Sequence, residues 1–297
     1  MTHVYPTPAA FDRALKKAIR SMDIDPGEGY RQALRDRFLC RVFYKGGGRF
    51  ALKGGSGLLA RIPDARATRD LDFAAMERSS ADEALEEMKR IADLDLGDWC
   101  RFELTKAEES LDENGYSRLL KLRFATYVGA EEKDPVLIDL SLGCAPTLPP
   151  EQITPANRVN VKGVEVCDYL VYSLPDQLAD KLCAIVERQP GGWPSSRMKD
   201  LVDVVVYALN EDFDLGQLAA AIASECSKRR MSVPSKFEAP LEWSGSFSTF
   251  AKRCGLPAGF QTFDRASKLA SSFFGPALTY PQEAKLKWDH TALTWNS

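Results

Sequence analysis

Apolar residues recur every four positions in two segments at the start of the chain, residues 8–22 and 30–44. The residues that set this spacing are Phe11, Leu15, Ile19, Leu34, Phe38 and Val42. Side chains four residues apart lie on the same face of an α-helix. The pattern therefore predicts two amphipathic helices within residues 1–45 that pack on the core that follows.

The next part of the chain carries the patterns of β-strands. Leu71 and Phe73 alternate with Asp70 and Asp72, so both carboxylates fall on one face of a strand. Further strand patterns lie at residues 49–53, 101–106, 118–128 and 135–142. We expect a mixed sheet with a helix crossing it.

Beyond this region the pattern changes from strands to helices. Residues 157–171 indicate a small β-hairpin with its turn at Lys162-Gly163, and Ser173 is placed to cap the helix that follows. Helices are expected at residues 173–188, 197–209, 215–230, 247–254 and 261–274. The prediction is an α+β protein in three parts: N-terminal helices over 1–45, a core over 46–165 and a mainly helical domain over 166–297.

The composition limits the classes of function that the protein can have. With 39 basic and 42 acidic residues the net charge is -3, so no global basic field indicates nucleic-acid binding. The two histidines, His3 and His290, lie near the chain ends, which argues against chemistry that needs an internal histidine. Seven scattered cysteines without a CxxC pair indicate buried thiols in a reducing compartment. No leader pattern and no apolar run of about 18 residues is present, so we expect a soluble, cytoplasmic protein.

Asp70 and Asp72 are the first candidates for chemistry. Mg²⁺ prefers oxygen ligands and usually takes one or two carboxylates together with substrate phosphates. Two like charges this close repel each other unless a cation lies between them. Asp139, on a later predicted strand, is a candidate third acid. A DxD triplet alone is more often a solvated turn, and a strand-end aspartate often makes ordinary hydrogen bonds, so both alternatives stay open.

A glycine turn, Gly54-Gly55-Ser56, lies upstream, with 13 residues between Ser56 and Asp70. Glycines let backbone N–H groups approach phosphate oxygens, the following helix N-terminus favours an anion, and a serine hydroxyl can donate as well. A plain turn is the alternative. No Gly-Lys-Ser or Gly-Lys-Thr occurs and the GxGxxG spacing is missing, so a Walker-type loop and a dinucleotide fold are excluded.

Lys181 falls within the apolar helix face that Leu178, Leu182 and Ile185 define. A cation in such a face needs a partner. Lys181 either reaches a bound triphosphate or extends to the surface, and helical spacing alone does not separate these interpretations.

Asp200 and Asp203 lie on one side of a later predicted helix. Lys199 stands four residues before Asp203, so an ordinary ion pair along the helix explains them simply. Arg197, at the start of the same helix, is either a phosphate ligand or an ordinary first residue.

Four segments then occur in a recognisable order: Lys53-Gly54-Gly55-Ser56, Arg66 to Phe73, Leu178 to Leu182 and Arg197 to Asp203. Together they resemble the signature of nucleotidyltransferase toxins of the AbiEii/AbiGii type, whose relatives include the MenT toxins, over about residues 50–210. Ser56-Gly57 departs from the Thr or Ser followed by Ala of many relatives. The resemblance implies a polymerase-β-like nucleotidyltransferase core and a helical C-terminal domain that completes the cleft.

The residue patterns and the resemblance together assign roles. The predicted catalytic residues are Asp70, Asp72, Lys181 and Asp203. The predicted nucleotide-binding residues are Lys53, Gly54, Gly55, Ser56 and Lys181. The predicted metal ligands are Asp70, Asp72 and Asp139. Further candidates are Arg66, Thr68, Arg197 and Asp200. At the position of Thr68 some family members carry a residue that an antitoxin kinase phosphorylates.

The resemblance also implies the reaction. We expect a toxin that transfers NMP from an NTP, with Mg²⁺ or Mn²⁺, to the 3′ acceptor end of tRNA and so blocks translation. A cognate antitoxin is the expected protein partner, without membrane or DNA. Two alternatives stay open: NMP transfer to a hydroxyl of a protein or small molecule, and an inactive nucleotide-binding or partner-binding module.

Overall fold

The computed structural model describes residues 3–77, 79–111, 117–143, 145–189, 191–279 and 285–297. The chain divides into two compact units. The first contains Met1–Pro63, Thr68–Ala145 and Glu151–Val171, and the second contains Asp64–Ala67, Pro146–Pro150 and Tyr172–Ser297.

The first unit is built on a mixed sheet, as predicted. Its described strands are β1 (Phe50–Leu52), β2 (Asp70–Ala75), β3 (Cys100–Leu111), β4 (Arg118–Val128), β5 (Glu131–Leu142), β6 (Glu151–Ile153) and β7 (Tyr169–Val171). Their order in the sheet is β3-β4-β5-β2-β1-β7-β6. β2 is parallel to β5 and β1 to β7, while the other neighbours are antiparallel.

The helices of the first unit pack against this sheet. They are α1 (Pro8–Arg20), α2 (Pro26–Val42), α3 (Gly54–Arg61) and α4 (Ala81–Ala92). Thr7, Asp25 and Ser80 cap α1, α2 and α4 by accepting a hydrogen bond from a backbone N–H in the first turn. Phe38 of α2 packs edge-on against Phe102 of β3, with ring centroids 5.1 Å apart. Both predicted N-terminal helices are confirmed and share one core with the sheet.

The two faces of the sheet differ in character. The face toward the helices is apolar, with side chains that are at most 3% exposed: Leu71, Phe73, Leu122, Ile138 and Leu140. Alternation along β2 and β5 puts Asp70, Asp72 and Asp139 on the opposite face. We call this opposite side the polar face.

The second unit is mainly helical, as predicted. Its described helices are α5 (Leu174–Val186), α6 (Met198–Asn210), α7 (Leu215–Lys228), α8 (Ser244–Arg253) and α9 (Phe263–Thr279). Ser173 caps α5 through the Asp176 N–H at 3.1 Å, which confirms its predicted role. A small sheet of order β10-β9-β8 was not predicted; it is formed by β8 (Phe213–Asp214), β9 (Lys287–Asp289) and β10 (Thr294–Asn296).

The predicted hairpin over residues 157–171 is wrong. β7 pairs with β6 instead, and the Lys162-Gly163 turn lies in a segment without strands around it. Side chains of α2 bind this segment's backbone: Asp36 Oδ2 accepts from Val159 N–H at 2.9 Å, and Arg37 donates to the Glu165 carbonyl at 2.6 Å. These bonds replace a strand ladder.

Two expectations from composition can be compared with the described residues. None of the described helices is both long and apolar enough to cross a lipid bilayer. The six described cysteines carry free thiols, four of them buried, and Cys144 lies outside the described residues.

A buried ion cluster stabilises the first unit. Arg41 donates to both oxygens of Asp98, at 2.9 and 3.0 Å, and Arg37 donates to Asp98 Oδ2 at 2.7 Å. Burial raises the pKa of Asp98, but Arg41 and Arg37 outweigh burial and hold the pKa at about 2, below the ordinary 3.8. The carboxylate therefore stabilises the fold above about pH 4 and loses this effect as the pH falls through about 2.

We expect Asp98→Asn to lower the free energy of unfolding by about 3–5 kcal/mol at pH 7, because two buried guanidinium groups lose their charge partner. Urea unfolding measures this difference. Asp134, whose exposed carboxylate lies 3.6 Å from Arg31, is the control, and Asp134→Asn should leave stability nearly unchanged. The gap between Asp98→Asn and wild type should shrink as the pH approaches about 2; a gap that does not change with pH would contradict the assignment.

Candidate active site

The glycine segment forms the first turn of α3, which begins at Gly54 with Lys53 as the N-cap residue. Gly54 has a φ of +56°, a left-handed conformation that favours glycine. A Cβ atom at this position would lie 2.5 Å from Asp72 Oδ2. The missing side chain therefore lets the start of α3 lie directly against the Asp72 carboxylate.

Ser56 and Gly55 bind α3 to the strand that carries the acids. Ser56 Oγ donates to the Asp70 carbonyl at 2.8 Å and accepts from the Asp72 N–H at 3.2 Å. The Gly55 N–H donates to Asp72 Oδ2 at 3.1 Å. Through these two bonds Ser56 positions β2. The predicted contact of its hydroxyl with a phosphate stays a prediction.

Asp70, Asp72 and Asp139 share the polar face and are all partly exposed. Asp72 and Asp139 are Cα partners on the parallel strands β2 and β5, so their side chains begin about 5 Å apart. The described residues contain no ready-made cluster of three metal-binding side chains. Mg²⁺ needs only one or two carboxylates beside substrate phosphates, so this donor set fits it. The role of Asp139 as a metal ligand stays a prediction.

Lys181 of α5 is buried beside two acids of α6. Its Nζ donates to Asp203 Oδ2 at 2.6 Å and to Asp200 Oδ1 at 3.2 Å. Arg66 binds both oxygens of Asp203, at 2.7 and 2.8 Å, and Arg197 Nε donates to Asp200 Oδ2 at 2.7 Å. Three cations and two acids therefore form one connected set of ion pairs within the second unit, which we call the ion-pair network.

Electrostatics keep this network charged. Burial raises the pKa of Asp203, but Lys181 and Arg66 outweigh burial and hold the pKa below its ordinary value. Burial also lowers the pKa of Lys181, but Asp203 and Asp200 raise the pKa above its ordinary value. Lys181 is only 3% exposed, so the interpretation that it extends to the surface is wrong. An ordinary ion pair along the helix does not explain Asp203 either, because its partners, Lys181 and Arg66, lie on other segments.

The remaining candidates lie near these two groups. Thr68 is half-buried, with Oγ1 3.4 Å from the Asp70 carbonyl oxygen, and Lys53 is partly exposed at the start of α3. Arg66 was only a further candidate on sequence, yet it is the bidentate partner of Asp203. Its segment leads directly into Thr68 and Asp70, which is the one sequence signal that could have raised its rank.

We expect Gly54→Ala to lower nucleotide transfer about tenfold or more, because the Asp72 carboxylate has to move away from the new methyl group. Stability should fall by about 1–2 kcal/mol, the cost of a left-handed conformation for a residue with a side chain. Steady-state kinetics and thermal unfolding measure the two effects. Gly245 of α8 has open space where a Cβ would stand, so Gly245→Ala should keep full activity.

The profile of one protein family matches residues 37–267, and this family is described as the nucleotidyl transferase AbiEii toxin of type IV toxin–antitoxin systems. The match covers well over half of the chain. The chain belongs to the AbiEii family. The resemblance seen in the four sequence segments is thereby confirmed.

Three solved structures are similar to this AbiEii protein. MenT4, a nucleotidyltransferase toxin from Mycobacterium tuberculosis H37Rv, has a TM-score of 0.54 at 15% identity, covering 97% of this chain and 93% of that chain. Two Helicobacter pylori proteins, a proposed nucleotidyltransferase and JHP933, have TM-scores of 0.43 and 0.39 at 17% and 19% identity. Each covers 81% of this chain, and 93% and 92% of its own chain respectively. No curated protein matches the sequence.

The family establishes the coarse function, and the similarity to MenT4 concerns the fold. The α+β class is confirmed by the mixed sheet and by the similarity to MenT4. As a member of the AbiEii family the protein is a nucleotidyltransferase toxin, and a cognate antitoxin is its partner.

Proposed function

We propose that this AbiEii toxin transfers NMP from an NTP to the 3′-hydroxyl of tRNA in a magnesium-dependent reaction in the cytoplasm. The observation that supports this most is the set of three carboxylates on the polar face beside the glycine start of α3. Such a set offers oxygen ligands for a metal and backbone N–H groups for phosphates in one place.

Asp70 and Asp72 would hold Mg²⁺, and Asp139 is the candidate third ligand. When bound, the metal neutralises the triphosphate charge and polarises the phosphate that is attacked. The hydrogen bonds of Ser56 and Gly55 keep Asp72 in place before substrate arrives, which is the preorganisation that such chemistry needs.

The reaction itself asks the protein mainly for positioning and charge. The acceptor hydroxyl oxygen bonds to the α-phosphorus, the bond to the β-phosphate oxygen breaks, and pyrophosphate leaves. Asp139 is partly exposed and would accept the hydroxyl proton. Lys53 and the start of α3 are proposed to bind the phosphates. Lys181 is proposed to contribute positive charge toward the triphosphate, and Asp203 to hold the Lys181 side chain in place.

The proposal is tested with each α-³²P-labelled NTP in turn, together with Mg²⁺ and total tRNA. We expect label in RNA with at least one NTP, loss of labelling with EDTA and recovery with added Mg²⁺. Periodate-oxidised tRNA, which lacks the terminal diol, is the matched control and should accept no label. Label in protein would favour a protein acceptor, and no label with any NTP would favour a binding module.

A further inference from the structure

The polar face continues from the acids onto β4 and β3. Register between neighbouring strands defines one row across the sheet, formed by Asp72, Asp139, Lys121 and Glu108. The adjacent row is formed by Asp70, Leu137, Arg123 and Lys106. Register partners project from the same face. Lys121 and Arg123 therefore lie two strand spacings, about 10 Å, from the acids of β2.

Both side chains are exposed and available. In the described part of the chain, neither Lys121 nor Arg123 forms a side-chain ion pair with a carboxylate. Lys106 differs, because its Nζ lies 2.7 Å from Glu108. The pairing of Glu108 with Lys106 leaves the two β4 cations as a separate positive pair beside the acids.

The register partners of Arg123 do not balance its charge. They are Leu137 on one side and Lys106 on the other, so no acid stands directly beside it in its row. A phosphate would supply the missing charge partner, and a guanidinium group matches a phosphate in two hydrogen bonds.

The most basic run of the second unit does not offer the same availability. In Lys228-Arg229-Arg230, the Arg229 guanidinium binds Asp180, Glu187 and Glu225, and Lys228 Nζ lies 3.5 Å from Glu225. Lys228 and Arg229 are therefore already paired with acids of the same unit.

We propose that Lys121 and Arg123 bind phosphates of a polynucleotide acceptor next to its reacting 3′ end. The inference rests on the proposed function, since it takes Asp70 and Asp72 as the place of reaction. An acceptor whose terminal hydroxyl reaches those acids must pass its last phosphates over the neighbouring surface. The β4 cations lie on the same face at about that reach, and this position favours RNA over an acidic protein surface.

The test compares Lys121→Gln/Arg123→Gln with a control pair on α1, Lys17→Gln/Arg20→Gln, which removes equal charge from exposed positions on the helix side. Fluorescence anisotropy with 5′-labelled tRNA, in EDTA without NTP, gives Kd at several salt concentrations. For the β4 pair we expect Kd to rise about tenfold and the slope of log Kd against log salt to fall by about 1–2. In the transfer assay KM for tRNA should rise and KM for NTP should stay constant. The control pair should match wild type in all of these, and circular dichroism should show all variants folded.

The outcomes separate the surface from the proposed function. If wild type labels tRNA but the β4 pair leaves the RNA Kd, salt slope and KM unchanged, the surface assignment is overturned while the function stands. If wild type binds RNA without labelling it, and only the Lys121→Gln/Arg123→Gln variant binds RNA more weakly, the surface is supported while the function fails. No RNA binding by wild type overturns both. If the Lys121→Gln/Arg123→Gln variant binds RNA as wild type does but no longer binds the antitoxin, the proposal is overturned. Lys121 and Arg123 would then bind an acidic protein surface.

Discussion

Replacing Asp72 by asparagine is expected to lower nucleotide transfer about a thousandfold or more, because one of two metal-binding charges is lost at the reacting phosphate. The amide oxygen of asparagine can still accept from the Gly55 N–H, so the start of α3 should keep its position. Stability should stay close to that of wild type, since asparagine keeps the size of the side chain and its bond to Gly55. A large loss of activity without a loss of stability distinguishes a functional acid from a structural one.

Asp23, an exposed aspartate before α2, provides the matched control. Asp23→Asn should keep full activity and stability. Differential scanning fluorimetry adds a readout without substrate: Mg²⁺ alone should raise the melting temperature of wild type and Asp23→Asn more than that of Asp72→Asn. Asp72→Asn with more than about a tenth of wild-type activity would show that this carboxylate is not a required metal ligand.

Local patterns predicted much of the fold because the residues that define those elements act through near neighbours. The apolar spacing of α1 and the alternation in β2 both belong to single segments, and Ser173 caps α5 through a residue three positions on. The small sheet of the second unit had no such signal. β8 has only two residues, and β9 is held through Trp288, whose indole N–H donates to the distant Ala208 carbonyl at 2.8 Å. Short strands fixed by distant contacts leave no periodicity to detect.

The candidate site also contains some features that the sequence predicted and others that only the structure showed. Alternation predicted that Asp70 and Asp72 share a face, and helical spacing showed that Lys181 needs a partner. The structure identified that partner as Asp203 and showed that Arg66, 137 positions from Asp203 in the chain, binds the same carboxylate. The position of Lys121 beside Asp139 likewise depends on the register between β4 and β5. Turn geometry and hydrophobic pattern determine a register only once it is known which strands pair. The strand patterns of a single sequence do not say which strands are neighbours.

The ion-pair network yields the second large effect: Lys181→Met should lower nucleotide transfer about a hundredfold while costing much less stability than Asp203→Asn. We propose that the positive charge of Lys181 favours a bound triphosphate, and Lys181→Met removes this charge. It still leaves Asp203 with Arg66 and Asp200 with Arg197, so each buried acid keeps one cation.

Asp203→Asn acts differently, because Arg66 loses its bidentate partner and Lys181 keeps only Asp200. We expect it to lower the free energy of unfolding by about 3–5 kcal/mol and to lower activity as well.

Arg229→Met is the matched control, since it breaks ion pairs to Asp180, Glu187 and Glu225 in the same unit without touching the network. This control should lose stability but keep its kcat when assayed well below its melting temperature. Arg229→Met is expected to keep the kcat of wild type. If Lys181→Met kept it as well, Lys181 would be a core ion-pair residue and the network would have no part in transfer. A lost kcat in Lys181→Met alone, at preserved stability, would instead show that the positive charge buried in α5 acts on the reaction.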